Sequence, residues 1–412
     1  MQLTNLIARK IYNSRKEATI EVIASCGDKK VTASAPSGAS KGKYEVRDVS
    51  ARGIDFSISF LNVLGRKLVN EKVSFETFED LEKVEAIVRK QDNTKNLEFI
   101  GGNALYAIET AILKLVALTR EMELWQLLIN GKQPFMPMPV GNAIGGGAHV
   151  KQQKKTDWQE FLFIPRSTNF FEAKVINEMA YKEVRKVLEA KDIEWQGKLT
   201  DENAFATTFD CETTLALVDS VRNTIQEKLN VSLDIGLDCA ATTLWTGLRY
   251  RYNNLSATIR QKDLSPEENS AFIVDMTRKY NISYLEDPMH GEDFKGFGNV
   301  LRRLKNCFVV GDDLICTRHE RLEKAIREKA INAMIIKPNQ VGSLLETKKT
   351  IDLAKKNDIV TIISHRSGET LDNALAHFAV GWRMPFIKCG ITGAERLAKL
   401  NELARIERQI KE

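Results

Sequence analysis

The sequence is poor in the residues that mark disulfide-rich, zinc-binding or membrane-spanning proteins. Its 412 residues include only 6 cysteines, 9 prolines and 5 histidines. The cysteines are scattered and form no CxxC pair, so we expect reduced, mostly buried thiols and neither a zinc site nor a disulfide framework. No run approaches the ~18 consecutive apolar residues that a membrane span needs. The N-terminus also lacks the basic and apolar regions of a secretory signal.

The charge is nearly balanced, with 60 basic residues, 55 acidic residues and a formal net charge of +5. The small basic excess is spread along the chain and does not form the concentrated patch that is typical of nucleic-acid binding. Hydrophobic residues make up 43% of the sequence and charged residues 28%, which is enough to build an ordered core. We therefore expect a cytoplasmic globular protein that binds neither nucleic acid nor a membrane.

The first third of the chain has strand-like runs followed by helix-like stretches. The runs ATIEVIAS and KKVTASAPSG precede the stretches FETFEDLEKVEAIVRKQ and NALYAIETAILKLVALTREMELWQLLI. Strands followed by helices favour a compact α+β unit, which we place at residues 1–133 as an N-terminal capping domain. The segment GKQPFMPMPVGN then holds three prolines and is typical of a domain boundary.

Residues 134–412 repeat a strand–turn–helix pattern. Short apolar runs end in polar residues and alternate with amphipathic helices, two of which start with capping-box signals at Ser265 and Ser343. The runs are VSLDIGLDCA, ISYLEDP, CFVVGDD, NAMIIKPNQ, VTIISHRSG and FIKCG. The spacing predicts parallel strands with helical crossovers, which form either an open sheet or a closed barrel. We predict a (β/α)8-type barrel, because in that fold the chemistry gathers at the C-terminal strand ends.

Three carboxylates, Asp238, Glu286 and Asp312, end consecutive predicted strands. Converging carboxylates repel each other by ~4 kcal/mol per pair at 4 Å and an effective dielectric near 20, so a cation should hold them together. An all-oxygen ligand set selects a hard ion, Mg²⁺ or Mn²⁺ rather than zinc.

Lys337, His365 and Lys388 end the next predicted strands, spaced by about one strand–helix unit each. A lysine beside a divalent cation and a second lysine can lose its proton and act as a base. Lys337 and Lys388 are therefore candidates for such a base.

Ten strings spread along the chain are long enough to compare with known protein families. In order they are ARKIYNSRKEATIEV, APSGASKGKYEVRD, GGGAHVKQQKKTDWQEF, LTDENAF, LDCAAT, LEDP, VGDDL, IIKPNQVGSLLET, ISHRSGET and FIKCGITGAERLAKLNELARIE. In this order, and over nearly the whole chain, they resemble the motifs of the enolase (phosphopyruvate hydratase) family. That family belongs to a superfamily in which a Lys or His base works with one or two Mg²⁺ ions.

The resemblance implies a barrel of the enolase kind and the Mg²⁺-dependent, reversible dehydration of 2-phosphoglycerate to phosphoenolpyruvate, a step of glycolysis. It implies two Mg²⁺ ions per active site, the tighter one held by Asp238, Glu286 and Asp312 and the second by Ser40 in the SGAS loop. It also implies a homo-oligomer, a dimer or an octamer.

The resemblance assigns the remaining site residues individually. Lys337 matches the base that takes the C2 proton, and Glu202 matches the acid that protonates the departing C3 hydroxyl. Glu160 lies beside Glu202, and His149 completes the catalytic group. The substrate contacts that the resemblance implies are Lys388 for the carboxylate, Arg366 and Ser367 for the phosphate, and Gln159 and His365 for the supporting lining.

The chain departs from the family pattern just after Glu202. Asn203 and Ala204 replace two glycines, and the glycine-rich loop has Gly145 and Val150 where the family has asparagine and alanine. If the turn needs a positive φ, asparagine adopts it more readily than alanine. The orientation of Glu202 therefore depends on which residue carries that φ.

Two alternatives stay open. One is an enolase-like paralog that acts on another hydroxy acid, and the other is a non-catalytic binding protein derived from an enolase. The SGAS loop and the phosphate contacts argue against the first. The retained metal ligands and general base argue against the second. The 2-phosphoglycerate dehydratase is the favoured hypothesis.

Overall fold

The computed structural model describes residues 1–39, 41–152, 154–254 and 263–412. Its strands are β1 Asn5–Tyr12, β2 Ala18–Cys26, β3 Lys29–Ser34, β4 Met138–Gly145, β5 Glu160–Arg166, β6 Phe205–Ala206, β7 Ser232–Asp238, β8 Tyr250–Arg251, β9 Asp263–Leu264, β10 Ile282–Glu286, β11 Phe308–Gly311, β12 Ala333–Ile336, β13 Val360–Ser364 and β14 Phe386–Lys388. Its α-helices are α1 Ile54–Asn70, α2 Leu81–Gln91, α3 Gly102–Thr119, α4 Leu124–Ile129, α5 Phe170–Lys191, α6 Cys211–Leu229, α7 Pro266–Lys279, α8 Phe294–Arg303, α9 His319–Glu328, α10 Pro338–Val341, α11 Leu344–Lys356, α12 Ala374–Gly381 and α13 Ala394–Lys411.

The N-terminal part is a three-stranded antiparallel sheet, in the order β1-β2-β3, packed against helices. Alternate residues of β2, namely Ile20, Val22 and Ala24, are fully buried, as expected for a strand with one face on the core. The predicted strands and helices of this part are present, but the sequence analysis missed β1 and α1. Helix α3 is long and apolar enough to cross a membrane, yet 83% of it is buried inside the protein.

The barrel consists of eight strands, β4, β5, β7 and β10 to β14, and it closes because β14 pairs with β4. The predicted fold class is confirmed, with one correction to the expected parallel strands. Strand β5 runs antiparallel to both of its neighbours, β4 and β7. The reason is local, because a loop with a short 3-10 helix, Gly147–His149, joins β4 to β5 in place of a helical crossover.

Alternate residues of the barrel strands form a separate apolar cluster inside the barrel. Its buried members are Val140, Leu162, Ile164, Tyr284, Val310, Ala333, Ile335, Ile362 and Phe386. Strand β7 contributes Gly236, where an added Cβ would lie 3.1 Å from Leu162 Cβ and 3.2 Å from Tyr284 Cδ1. The interior is thus packed, and the space for a ligand lies at the mouth.

The predicted capping box is formed at Ser265, and half of it is formed at Ser343. Ser265 and Glu268 form the reciprocal capping box that starts α7. Ser343 Oγ accepts a hydrogen bond from Glu346 N at the start of α11. Ser343 Oγ also contacts Glu85, a helix α2 residue that the sequence gave no reason to place there.

The two parts of the chain meet at the barrel mouth. The loop after β3 crosses onto the C-terminal strand ends, where Ser37 forms a bridge with Gly368. The chain passes between the parts after α4 ends at Ile129 and before β4 begins at Met138. The boundary after residue 133 stays a prediction. The six cysteines are free, and all but the half-buried Cys26 are buried, as expected.

Candidate active site

A cavity of about 230 Å³ opens at the C-terminal ends of the barrel strands. Most of the predicted site residues line it together. They are His149, Gln159, Glu160, Glu202, Asp238, Asp312, Lys337, His365, Arg366, Ser367 and Lys388. Glu286 is fully buried next to this cavity. Its carboxylate accepts a hydrogen bond from Lys388 Nζ, and Lys388 lines the cavity. Ser40 lies outside the described residues, and the roles of all these residues stay predictions.

The ammonium of Lys388 lies among three carboxylates. Its Nζ is 2.9 Å from Glu160 Oε2, 2.9 Å from Asp238 Oδ2 and 2.8 Å from Glu286 Oε2. Strand register explains this arrangement, because Glu160 is opposite Asp238 and Asp238 is opposite Glu286 on adjacent strands. Lys388 comes from β14 on another side of the barrel, so its long side chain crosses the mouth to reach them.

The reversed strand β5 explains why Gln159 and Glu160 belong to this mouth. In the parallel strands, the residues that reach the mouth are at the C-terminal ends. Because β5 runs the other way, its first residue, Glu160, lies at the mouth instead. Gln159 directly precedes it, and its Nε2 donates a long hydrogen bond of 3.5 Å to Asp238 Oδ2.

The donor set at the mouth fits a divalent cation. Glu160, Asp238, Glu286 and Asp312 bring four carboxylates together against the ammonium groups of Lys337 and Lys388. Among the described residues, Glu286 Oε1 is buried without a hydrogen-bond partner. Burial first and then Asp238 raise the pKa of Glu286 to about 8, against the opposing effect of Lys388. An all-oxygen set with excess negative charge and an unpaired buried oxygen suits Mg²⁺.

Lys337 is the second lysine at the mouth, and its Nζ contacts Asp312. Burial alone would lower the pKa of Lys337, but the neighbouring carboxylates, Asp312 first and then Glu286, together raise it above the ordinary lysine value. The backbone N of Lys337 donates to Thr317 Oγ1 at 2.9 Å, which fixes the end of β12. Gln340 Nε2 donates to the other oxygen of Asp312 at 3.4 Å.

Glu202 lines the same cavity, beside two histidines and close to Glu160. His365 Nε2 is 3.3 Å from Glu202 Oε2, and one ligand atom each of His149, Glu160 and Glu202 lie within 4.8 Å of one another. Burial alone would raise the pKa of Glu202, but His365 and His149 together lower it well below the ordinary value. Burial lowers the pKa of His365, with Glu202 opposing that effect.

The turn after Glu202 shows which of the two residues that replace the family glycines has the positive φ. Asn203 takes the positive φ, 62°, and Ala204 is not among the described residues with a positive φ. Ala204 is instead fully buried, and its N donates to Thr200 Oγ1 at 3.2 Å. Gly145 is required nearby, because an added Cβ would lie 2.5 Å from Thr200 Cγ2.

The predicted phosphate contacts are tied to the N-terminal loop. Arg366 Nη2 bonds Glu45 Oε2 at 2.8 Å, and both side chains are almost completely buried. Arg366 Nη1 also donates to Asn339 Oδ1 at 3.0 Å. Ser367 Oγ accepts a hydrogen bond of 2.6 Å from Ala39 N, next to the loop residue Ser40.

Several acids and one arginine at this mouth were missed by sequence reasoning. Glu45 lies in the quoted string APSGASKGKYEVRD, and Asp201 directly precedes Glu202, but neither shows a spacing that would single it out. Asp287 accepts from the backbone N of both Asp312 and Asp313, at 3.0 and 2.8 Å, and so holds the turn that follows β11. Only the fold brings these groups together. Arg15 contacts Asp201, and no motif in the sequence singles it out for this site.

A larger cavity, about 700 Å³, lies outside the barrel behind the Glu202 turn. Its floor is aromatic, with Tyr181 and Phe205 stacked at a centroid distance of 4.2 Å and Trp195 packed edge-on against Phe205. The lysines and carboxylates of the barrel mouth do not line it. Its size therefore does not make it the site of the chemistry.

Comparison with known proteins agrees with the fold. The enolase C-terminal TIM barrel domain matches residues 133–412, and the enolase N-terminal domain matches residues 3–128. The enolase of Methanocorpusculum labreanum is 36% identical over 414 residues, covering 98% of this chain and 99% of that protein. The enolase of Archaeoglobus fulgidus is 35% identical, covering 97% and 95%, and that of Pyrobaculum aerophilum is 34% identical, covering 98% and 96%. The chain belongs to the enolase family.

Proposed function

We propose that this enolase-family chain catalyses the divalent-metal-dependent, reversible dehydration of 2-phosphoglycerate to phosphoenolpyruvate. The observation that carries the proposal is the 230 Å³ cavity, where two lysines, an arginine and a cluster of carboxylates converge at one barrel mouth. The enolases that match over nearly the whole chain support the reaction.

Asp238, Glu286 and Asp312 are the residues that we propose to hold Mg²⁺, with Ser40 as a ligand of a second ion. When bound, the metal supplies positive charge that offsets the carboxylates beside Lys337 and stabilises the negative charge that develops on the substrate. The protein's part is to fix these carboxylates in place. Two donors hold Glu286 in place. The buried hydroxyl of Tyr284 donates to Glu286 Oε2 at 2.5 Å, and Lys388 Nζ donates to the same oxygen.

Lys337 is the base that we propose to take the C2 proton. It lies at the end of β12 with its Nζ on Asp312, so it faces a substrate held at the metal-site carboxylates. Lys388, which contacts three carboxylates in the structure, offers its ammonium to the substrate carboxylate. An ammonium at that carboxylate stabilises the enolate more than the ground state, because C2 deprotonation adds negative charge there.

Glu202 is the acid that we propose to protonate the departing C3 hydroxyl. It must first carry a proton, whereas the low pKa of its carboxyl favours the ionised form in the free site. His149, whose own pKa is raised to about 9, is its protonated neighbour, and the charge of His149 is one cause of the low pKa of Glu202. Lys337 and Glu202 both line the cavity and contact different groups, Asp312 and His365, as a separate base and acid require.

The phosphate is assigned to Arg366 and Ser367. The guanidinium provides planar, paired N–H donors for phosphate oxygens, and the serine adds a hydroxyl donor. Arg366 is held by Glu45 in the loop after β3, so binding at this point also involves the N-terminal part of the chain. The Gly- and Ser-rich loop around Ala39 therefore lies where it can cover the substrate.

The test is formation of phosphoenolpyruvate from 2-phosphoglycerate, followed by its ultraviolet absorbance, with Mg²⁺ and with EDTA. Lys337→Ala and Glu202→Gln proteins run alongside, and Lys348→Ala on the outer face of α11 serves as a matched lysine control. We expect activity that EDTA and both site substitutions abolish and the control retains. A folded, Mg²⁺-replete wild type that is inactive on 2-phosphoglycerate but dehydrates another phosphorylated hydroxy acid would overturn the substrate assignment. Inactivity on all of them would favour the binding protein.

We also propose a cytoplasmic homo-oligomer, a dimer or an octamer, on the strength of the family resemblance. Light scattering on the purified protein across a range of concentrations gives its mass directly. The expected mass is a multiple of the 46.5 kDa chain. A mass that stays at a single chain would overturn the oligomer.

A further inference from the structure

His149, which lines the active-site cavity, is held from behind by Asp201. His149 Nδ1 lies 2.7 Å from Asp201 Oδ1, and the second oxygen of the same carboxylate, Oδ2, contacts Arg15 Nη1. The three side chains form a line from the turn between β1 and β2 to the barrel mouth. The arrangement of these three side chains has no assigned role. Arg15 comes from the N-terminal part of the chain.

The turn that carries Arg15 is fixed onto the barrel. Ser14 N donates to Glu369 O at 2.8 Å, and Ser14 Oγ donates to Ser367 O at 3.2 Å. On the other side of the turn, Asn13 Nδ2 donates to Ser37 Oγ at 2.6 Å. Arg15 therefore approaches Asp201 from a rigid support, with Glu17 Oε1 3.2 Å from its Nε as a second partner.

Charged groups surround His149 on every side that packs against it. Asp201 faces Nδ1, while Glu202 from the same turn and Glu160 from β5 face the ring from the cavity. Lys155 Nζ donates to the carbonyl oxygens of Gly147 and Val150, on the same loop as His149. The ammonium of Lys155 is therefore paired with backbone carbonyls. Burial alone would lower the pKa of His149, but Glu202, Asp201 and Glu160 together raise it to about 9.

We propose that Asp201 and Arg15 are positioning residues that hold His149 as an imidazolium, with Nδ1–H on Asp201 and Nε2–H presented to Glu202. Arg15 fixes the second oxygen of Asp201, so that the carboxylate cannot rotate away from the ring. Without this arrangement, His149 would lose both its orientation and part of the negative charge that keeps it protonated. The catalytic part of this inference rests on the proposed function; the geometry and the protonation of His149 do not.

The charge state of Asp201 agrees with this role. Burial alone would raise the pKa of Asp201, but its bond to His149 and the charge of Arg15 lower it. Asp201 is therefore ionised at neutral pH, where His149 is protonated. A mere ion pair that ties the two parts of the chain together would need Arg15 and Asp201 but would have no need of His149.

The first test is an NMR titration of labelled histidine. The chain has only 5 histidines, and His149→Gln identifies the His149 signal by its loss. In Asp201→Asn, which keeps the shape but removes the charge, the pKa of His149 should fall from about 9 towards its ordinary 6.5. An unchanged His149 titration in that variant overturns the proposal, whether or not the protein turns over 2-phosphoglycerate.

The second test separates orientation from charge. Asp201→Asn should move the alkaline limb of the kcat/KM pH profile to lower pH, because His149 then deprotonates earlier. Arg15→Gln leaves the charge of Asp201 in place, so it should lower kcat by roughly 10- to 100-fold without shifting that limb. Arg15→Lys should restore part of the loss.

The matched control is Arg9→Gln, which breaks the exposed Arg9–Glu21 pair on the same hairpin. It should behave as wild type in both measurements. If Arg15→Gln lowers only the melting temperature and keeps kcat, the contact is an ordinary interdomain ion pair and the proposal is wrong. Should Asp201→Asn fail to fold, the Arg15→Gln and Arg15→Lys pair decides alone by the same criterion.

Discussion

Glu160 and Asp238 lie directly opposite each other on antiparallel strands, and one ammonium, that of Lys388, contacts both carboxylates at 2.9 Å. This pairing exists only because β5 runs against the other barrel strands. The reversed strand places an acid at its first residue next to an acid at the last residue of β7. Lys388 then neutralises part of the charge that these neighbours and Glu286 accumulate.

The first prediction concerns Lys388, whose side chain is 5% exposed. Lys388→Met removes the ammonium and leaves three buried carboxylates without their partner. We expect a loss of about 3–5 kcal/mol in the free energy of unfolding in metal-free buffer, because breaking a buried ion pair strands the remaining charges. Urea unfolding measures it, and activity should be abolished as well.

Lys348→Met is the matched control for this change. Lys348 pairs with Asp352 one helical turn away on exposed α11, where such a pair is worth about 0.3–0.5 kcal/mol. If both lysine variants lose the same small amount, the three carboxylates at the barrel mouth are not held by Lys388.

The second prediction concerns metal binding. Mg²⁺ that binds the folded state at Asp238, Glu286 and Asp312 should raise the melting temperature, and the rise should grow with Mg²⁺ concentration. At 100 times the dissociation constant the stabilisation is about 2.7 kcal/mol. Differential scanning fluorimetry measures it without any substrate.

Asp312→Asn should remove most of this metal-dependent rise, because it takes away one ligand charge. Asp352→Asn on α11 changes an exposed acid that pairs with Lys348, and it should keep the rise. Equal responses of the two variants to Mg²⁺ would mean that the ion binds elsewhere.

The sequence was sufficient to predict the barrel and the strand-end residues, since these depend on a local pattern repeated along the chain. Asp312, Lys337 and Lys388 each follow an apolar run, and the fold brings them together as expected. The direction of β5 was not predictable in this way. An antiparallel strand and a parallel one have the same apolar pattern, and only the length and course of the loop before Glu160 decide between them.

Contacts between distant parts of the chain were also beyond the sequence pattern. Arg366 and Glu45 are 321 residues apart, and Arg15 and Asp201 are 186 residues apart. Their pairing follows from how the N-terminal sheet sits on the barrel mouth. No periodicity or spacing within either segment encodes that placement.

The third prediction concerns the turn after Glu202. Asn203 has a φ of 62° and its carbonyl accepts a 2.6 Å hydrogen bond from Tyr181 Oη. Asn203→Ala should cost about 1 kcal/mol, because alanine tolerates the left-handed region less well than asparagine. It should also lower kcat, since the same turn aims Glu202, whereas Asn203→Gly should keep kcat near the wild-type value. Steady-state kinetics and urea unfolding on the same preparations measure both effects.

Asn230→Ala controls for the backbone cost alone. Asn230 ends α6 with a φ of 52°, so its replacement should cost a similar free energy and leave kcat unchanged. A normal kcat in Asn203→Ala would show that the orientation of Glu202 does not depend on this turn.

The last prediction is the pH dependence of stability that His149 confers. The pKa of His149 is about 9 in the folded protein and about 6.5 when unfolded, so its protonated form stabilises the fold. This contribution is fully present below pH 6.5 and is lost as the pH rises through 9. The shift corresponds to about 3 kcal/mol, at 1.36 kcal/mol per pKa unit.

We therefore expect the unfolding free energy of wild type minus that of His149→Gln to be larger at pH 6 than at pH 9.5, measured by urea unfolding at both values. A difference between wild type and His149→Gln that stays constant from pH 6 to 9.5 would mean that Asp201 and Glu202 do not hold the proton on this ring.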